Sequence, residues 1–250
     1  MTCNADTQSD CTAQSPVASL PDGFFPFGPG AVDPTTHTVY VPITAYTGVS
    51  DVALVDGSTC NATIHSSCGS TPHLAPVGSV PEDVIIDAST NTVYVMNMWS
   101  AGISVLNAAT CNSQTQAGCP QVPPALAMEF DSGPNMIINP DTHTLYVPSI
   151  WTNDVWVFDT TKCNATRTNG CTRFAPITTV GAAPVGVAAN PNTHTVYEAN
   201  QADNTVSVID TSVCNASNTS GCDQTWPTVP LGNEPRFIGI NKTTNTIYAG

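Results

Sequence analysis

Five nonapeptides in this chain open and close on cysteine: CNADTQSDC, CNATIHSSC, CNSQTQAGC, CNATRTNGC and CNASNTSGC. Their first cysteines, Cys3, Cys60, Cys111, Cys163 and Cys214, stand 57, 51, 52 and 51 residues apart, so one unit is repeated along the molecule. Self-similarity at a period of roughly 50 residues marks a radial or solenoidal array, in which each unit is one supersecondary element that buries its faces against its neighbours. All ten cysteines fall into these short pairs. Zinc sites favour Cys-x-x-Cys spacing and add histidines, which these pairs lack. The pairs therefore predict local disulfides: Cys3 to Cys11, Cys60 to Cys68, Cys111 to Cys119, Cys163 to Cys171 and Cys214 to Cys222.

Bonds of this kind persist in oxidising compartments, so the expected location is periplasmic, cell-surface or extracellular. The first residues, MTCNADTQSD, have no basic start and no apolar signal core, which predicts an export signal upstream of Met1. With 41% hydrophobic residues but no sustained apolar run, the chain can build a core and does not insert into a membrane. Nineteen acidic against five basic residues leave a net charge of −14. Nucleic acid and anionic lipid are repelled by such a field, and cations or neutral ligands are favoured. Three of the cations, Lys162, Arg167 and Arg173, flank a single cysteine hairpin.

Each unit reads as the same strand text. A first strand runs into a turn at GAVDPTTH, VIIDASTN, MIINPDTH, VAANPNTH or IGINKTTN, and a second follows as TVYVP, TVYVM, TLYVP, TVYEA or TIYAG. A third appears in four units as DVALVD, ISVLN, DVWVFD and TVSVID, after which the cysteine hairpin leads to an outer strand such as HLAPVGSV. Short β-branched and aromatic runs bounded by Asn, Asp, Pro and Thr are strand and hairpin signals. Four antiparallel strands per unit without helical periodicity predict an all-β fold, a β-propeller of four-stranded antiparallel blades; a β-sandwich would not repeat its turns with one chemistry at one period. The expected division of the single domain 1–250 is four full blades at 24–80, 81–131, 132–181 and 182–231, with partial blades at 1–20 and 232–250. Incomplete blades expose sheet edges, which predicts a fragment of a six- or seven-bladed ring.

The segments NTVYVMN, THTVYVP and THTVYEANQADNTVSVID resemble the YVTN family of β-propeller repeats, whose signature is Thr-x-Tyr-Val-x-Asn, a polar loop, and x-Val-Ser-Val-Ile-Asp. The likeness covers residues from about 24 to 250. It implies a secreted or surface protein; relatives in that family include binding scaffolds, lactonase-like enzymes and a periplasmic DNA-binding protein. The cysteine hairpins elaborate the usual repeat, and fold does not settle function.

In a propeller the cysteine hairpins share a face with the turns holding His37, His143 and His194. These occupy the repeat position filled elsewhere by Asn91 and Asn245, which predicts a turn-forming role rather than a metal triad. His65 and His73 are isolated and read as surface residues. On the opposite face, loops between second and third strands carry Tyr46, then Asn97 and Trp99, then Trp151, Asn153 and Asp154, then Asn200, Asp203 and Asn204. Incoming segments add Phe24, Phe25, Glu82, Asp83, Asn135, Glu234 and Arg236. Aromatic platforms beside amides and carboxylates suit a glycan, another small polar ligand or a cation, and the face could equally hold a protein partner; the competing reading is loop capping.

No nucleophile elbow, His-Glu-x-x-His or phosphate loop is present. By analogy with lactonase-like propellers, Glu82, Asp83, Asn135, Asn200 and Glu234 form a candidate calcium set at the channel mouth, the basis of an alternative reading as a metal-assisted hydrolase. Sequons at Asn61, Asn164, Asn215, Asn218 and Asn241 are expected on exposed turns.

Overall fold

A computed structural model describes residues 18–100, 102–120, 124–128, 135–171 and 175–250. The expected Cys3–Cys11 pair, and most of the partial blade assigned to residues 1–20, lie outside the described residues.

Strand accounts for 45% of the structure and helix for 3%, so the fold is all-β. Four successive sheets are antiparallel meanders in chain order. The first contains β1 (Phe24–Pro26), β2 (Ala31–Asp33), β3 (Thr38–Ala45), β4 (Ser50–Asp56) and β5 (His73–Pro76). Here β1 and β2 both pair with β3, so they are two halves of one interrupted innermost strand. The second is β6 (Pro81–Asp87), β7 (Thr92–Asn97), β8 (Gly102–Asn107) and β9 (Ala125–Ala127). The third is β10 (Ile137–Asn139), β11 (Thr144–Ser149), β12 (Asp154–Asp159) and β13 (Ile177–Thr179), and the fourth is β14 (Pro184–Asn190), β15 (Thr195–Asn200), β16 (Thr205–Asp210) and β17 (Thr228–Pro230). A two-stranded sheet, β18 (Ile238–Asn241) and β19 (Thr246–Ala249), follows. These are propeller blades, and no closed ring is formed among the described residues. No helix among the described residues is long and apolar enough to cross a membrane.

The turn between first and second strands has one backbone solution throughout. His37, Asn91, His143, His194 and Asn245 all lie at φ between 49° and 55°. A side chain that tolerates the left-handed region is needed there, which is why His and Asn share the position. The carbonyls of His37, Asn91, His143 and His194 then accept N–H groups from Gly57, Ala108, Thr160 and Thr211, tying the turn to the exit of the third strand.

The core lies in the gaps between sheets. Tyr40, Val52 and Leu54 of the first sheet pack with Val84, Val93 and Leu106 of the second. In the next gap Tyr94, Met96 and Ile103 meet Leu145, Val147 and Trp156, and in the third Tyr146, Val155 and Val157 meet Val187, Val196 and Ile209. Both faces of a middle strand are therefore covered, and β7 and β11 are buried at every residue. Strands in such a setting read as continuous apolar runs. Along β18 and β19 burial alternates instead, and Tyr248 is 64% exposed.

A second set of bonds crosses each gap. The hydroxyl of Tyr40 donates to the Cys111 carbonyl (2.9 Å), that of Tyr94 to Cys163 (2.6 Å) and that of Tyr146 to Cys214 (2.7 Å). Two residues before each tyrosine, the hydroxyls of Thr38, Thr92 and Thr144 accept the N–H of Ser113, Ala165 and Ala216 at 2.9–3.0 Å. The Thr-x-Tyr of one sheet thus grasps the cysteine hairpin of the next. Desolvation in the gap raises the pKa of all three phenols, so they stay protonated donors.

The hairpins are closed by Cys60–Cys68, Cys111–Cys119, Cys163–Cys171 and Cys214–Cys222, with Cα separations of 4.6–4.8 Å, as the spacing predicts. The asparagine after each first cysteine shapes the corner. The Asn164 Oδ1 accepts N–H bonds from Thr166 and Arg167, while its Nδ2 donates to the Thr160 carbonyl. Asn112 and Asn215 repeat the pattern. This corrects the expectation that every sequon lies on an exposed turn: Asn164 and Asn215 are 4% and 6% exposed, because the amide is a structural part of the corner. Asn218 and Asn241 are exposed as expected.

Candidate binding face

The loops opposite the hairpins are built on one frame. In the second, third and fourth sheets the position two residues beyond the last ladder pair, Asn97 with Gly102, Ser149 with Asp154 and Asn200 with Thr205, is Trp99, Trp151 and Ala202. The first sheet's ladder runs one pair further, to Thr44 with Ser50, and Tyr46 sits in its longer loop, one register step beyond the tryptophan position. The backbone is held alike where both loops are described: Trp99 donates its N–H to Ser79 and Met98 to Val80, while Ala202 donates to Ala182 and Gln201 to Ala183.

The polar candidates are engaged within this frame. Asn97 and Asn200, 2% and 0% exposed, donate Nδ2 to Ser104 and Ser207 hydroxyls across the strand pair, at 3.0 and 2.9 Å. Asn153 and Asn204 accept the N–H of Ala183 (2.9 Å) and Glu234 (2.7 Å), residues at φ 52° and 51° that open the next sheet, and Ser50 does the same for Val80. Asp203 accepts from Ala182 at 2.6 Å, and Asp154 is buried with Thr152 donating to it. Burial raises the Asp154 pKa, and that of its equivalent Asp51. Loop building thus absorbs the amides and carboxylates.

The rings remain outside. Tyr46 is 92% exposed, Trp99 74% and Trp151 73%. Tyr46 rests on Phe25 with centroids 4.9 Å apart, and Phe25 touches Phe27 in turn. Trp99 and Trp151 lie on neighbouring sheets and make no ring contact with each other.

Near the innermost strands, successive sheets approach closely. A Cβ on Gly28 would fall 1.7 Å from the Glu82 carbonyl oxygen, so only glycine fits. Asp83, 6% exposed, accepts the N–H groups of Val84 (2.9 Å) and of Met136 (2.8 Å) in the following sheet. Desolvation pushes its pKa up to about 7, with neighbouring Glu82 adding to the rise and the two N–H groups opposing it. Asn135 donates its amide to Val185 at 3.0 Å, and Glu234 and Arg236 form an exposed pair at 3.8 Å. No group of three or more His, Cys, Asp or Glu suited to a metal ion occurs among the described residues. Both Asp83 oxygens accept backbone N–H groups, and Glu234 faces solvent.

One buried acid was not singled out from the sequence. Glu198, on β15, is 0% exposed, and neither carboxyl oxygen has a hydrogen-bond partner among the described residues. Burial drives its pKa well above the ordinary value. The repeat carries the signal: the same position is Val95 and Val147 in the preceding sheets. On the hairpin face, a groove of about 940 Å³ between the Cys163 and Cys214 hairpins is lined by Lys162 and Arg167, and Lys162 is paired with Asp159 at 2.7 Å.

Fold and loops together define an array of disulfide-stapled propeller blades that presents aromatic rings from one face. No family profile matches the sequence, and no curated protein is recognisably similar to it. Solved structures do share the fold. A functionally unknown protein from Desulfotomaculum acetoxidans superposes with a TM-score of 0.60 at 14% identity, over 90% of this chain and 62% of that one. A protein from Lactobacillus plantarum gives 0.58 at 14% identity, over 90% and 63%. A chain of the mitotic checkpoint complex gives 0.55 at 14% identity, over 88% and 56%. This chain thus spans less than two thirds of the length of each.

Proposed function

We propose that this chain is a YVTN-type blade repeat that works outside the reducing cytosol as a binding module for a glycan or protein partner, through the loop face carrying Tyr46, Trp99 and Trp151. One observation carries the reading: the polar side chains of these loops are bonded inward, while the rings of Trp99 and Trp151, at the equivalent position of two neighbouring sheets, and of Tyr46 in the longer loop of the first are 73–92% exposed. Large rings left mostly in water are a signature of recognition surfaces. Disulfides in every described hairpin support the oxidising location. The presence of this fold in the mitotic checkpoint complex supports protein partners as within its reach. The net charge of −14 disfavours nucleic acid. The test is a glycan array together with capture of secreted and surface proteins, using wild type and the Trp99→Ala/Trp151→Ala double variant. The double variant should lose the captured ligand and keep its melting temperature, since neither ring is packed. Identical profiles for the two proteins would reject the loop face as the working surface.

A further inference from the structure

The three ring-bearing loops share a chemistry that narrows the ligand. They read AYTGV, MWSA and IWTN: each ring is followed by a hydroxyl residue, and none contains a charge. The nearest acids in the chain, Asp51 and Asp154, are buried at 8% and 6% exposure, so in a chain of net charge −14 the ring-bearing loop tips themselves are uncharged, which favours a neutral partner over an ionic one. An exposed, uncharged ring offers a flat apolar surface with hydroxyls at its edge. The complementary shape is a pyranose ring, whose axial C–H groups make one face apolar and whose hydroxyls project around the rim.

Spacing extends the argument. Sheets packed face to face stand about 10 Å apart, so rings on neighbouring sheets are too distant to clamp one small molecule between them. Each platform must take its own sugar, and only a chain of several sugars reaches from one platform to the next. We infer that the loop face binds a neutral polysaccharide, with each ring-bearing blade contributing one stacking subsite. This rests on the loop face being the working surface.

The fourth loop shows what the array lacks. Ala202 sits on the backbone frame that holds Trp99, with the same two N–H bonds to the incoming strand, yet it has no ring to offer. The row therefore ends at the third sheet, and Ala202→Trp should lengthen it by one subsite.

The experiment measures retention of the intact protein on insoluble cellulose, chitin and β-1,3-glucan, then titrates soluble di-, tetra- and hexasaccharides of whichever polymer retains it. Trp99→Ala, Trp151→Ala, Ala202→Trp and Tyr248→Ala are compared, the last removing an exposed ring outside the row. On the retaining polymer, each tryptophan deletion is expected to weaken binding by about tenfold or more, the scale of a binding hot spot. Ala202→Trp should strengthen it several-fold, Tyr248→Ala should leave it unchanged, and affinity should climb with oligosaccharide length. Failure of all three polymers to retain the protein overturns the polysaccharide assignment. So does equal affinity for di- and hexasaccharide, or a ligand found to be a protein or a quaternary ammonium ion whose capture still depends on Trp99 and Trp151; these outcomes leave the loop face standing. Retention unchanged by every tryptophan variant overturns the working face as well.

Discussion

Replacing Tyr94 by phenylalanine removes one oxygen atom and nothing else from the gap between the second and third sheets. The ring keeps its place among Met96, Ile103 and Leu145, so no cavity opens. What is lost is the 2.6 Å bond to the Cys163 carbonyl, in a corner where Cys163 is 2% exposed. The carbonyl is left without that donor and without water, a loss of about 1–3 kcal/mol. For a chain of this size each kcal/mol lowers the melting temperature by about 2–4 °C. Tyr40→Phe and Tyr146→Phe should behave alike, and because the three hydroxyls act on different hairpins their effects should sum. Tyr197 and Tyr248 hold the same place in the repeat but donate no hydroxyl bond among the described residues. Their Phe variants should stay within about 0.5 kcal/mol of wild type. Urea unfolding with disulfides intact, with the midpoint read for all five variants, checks the pattern. A Tyr94→Phe midpoint equal to wild type, or a Tyr248→Phe loss as large as that of Tyr94→Phe, would refute the latch.

Asp83 has a folded pKa near 7, raised from 3.8, so its neutral form is the one the fold favours. Its contribution to stability is fully present below about pH 4 and is lost as pH rises through about 7, up to about 4 kcal/mol at the limit of the shift. Unfolding midpoints from pH 4 to 8 should therefore decline, and Asp83→Asn should flatten the slope; an unchanged slope would deny Asp83 that role. Glu198→Val, which restores the residue of the neighbouring sheets, should stabilise by about 1–3 kcal/mol at pH 7 by removing a buried carboxyl that has no partner among the described residues, as thermal unfolding will show. Losing Cys163–Cys171 through a double Ala variant should cost about 2.5 kcal/mol for a nine-residue loop, with a further loss wherever the slack corner frees the Tyr94 hydroxyl. The excess over Cys60–Cys68, measured in the same titration, reads that coupling. Asn164→Ala should destabilise the protein by about 1 kcal/mol or more through loss of its corner bonds, whereas Asn218→Ala should be neutral by the same assay.

Strand order, turn positions and disulfide pairing were legible because each is local: period, turn residue and cysteine spacing lie within one unit of text. The histidines were legible for the same reason, since Asn91 and Asn245 in the same slot betray a left-handed turn. The latch was not, because Tyr94 and Cys163 are 69 residues apart and nothing local joins them. Its trace was present all the same, in a tyrosine at one position of every second strand and an asparagine after every first cysteine. For the binding face, the sequence named the loops but not the direction of their side chains. Asn97 with Ser104 and Asn200 with Ser207, each seven residues apart, could have shown that these amides close the strand pair rather than meet a ligand. Proximity along the innermost strands likewise does not say which lone pairs the backbone claims, as the two N–H groups on Asp83 show.

The tyrosine bonds also set a schedule for assembly. Each spans 68–71 residues, always from a sheet to a hairpin that the ribosome delivers later. A newly made blade is therefore unfinished when its own strands have paired, and its tyrosine waits for the next hairpin to emerge and be oxidised. Chain growth and oxidation are thereby linked in one direction along the molecule. A fault in one hairpin leaves its mark on the blade made before it, and chemical reduction should loosen the protein at sites displaced by one blade from the broken bond.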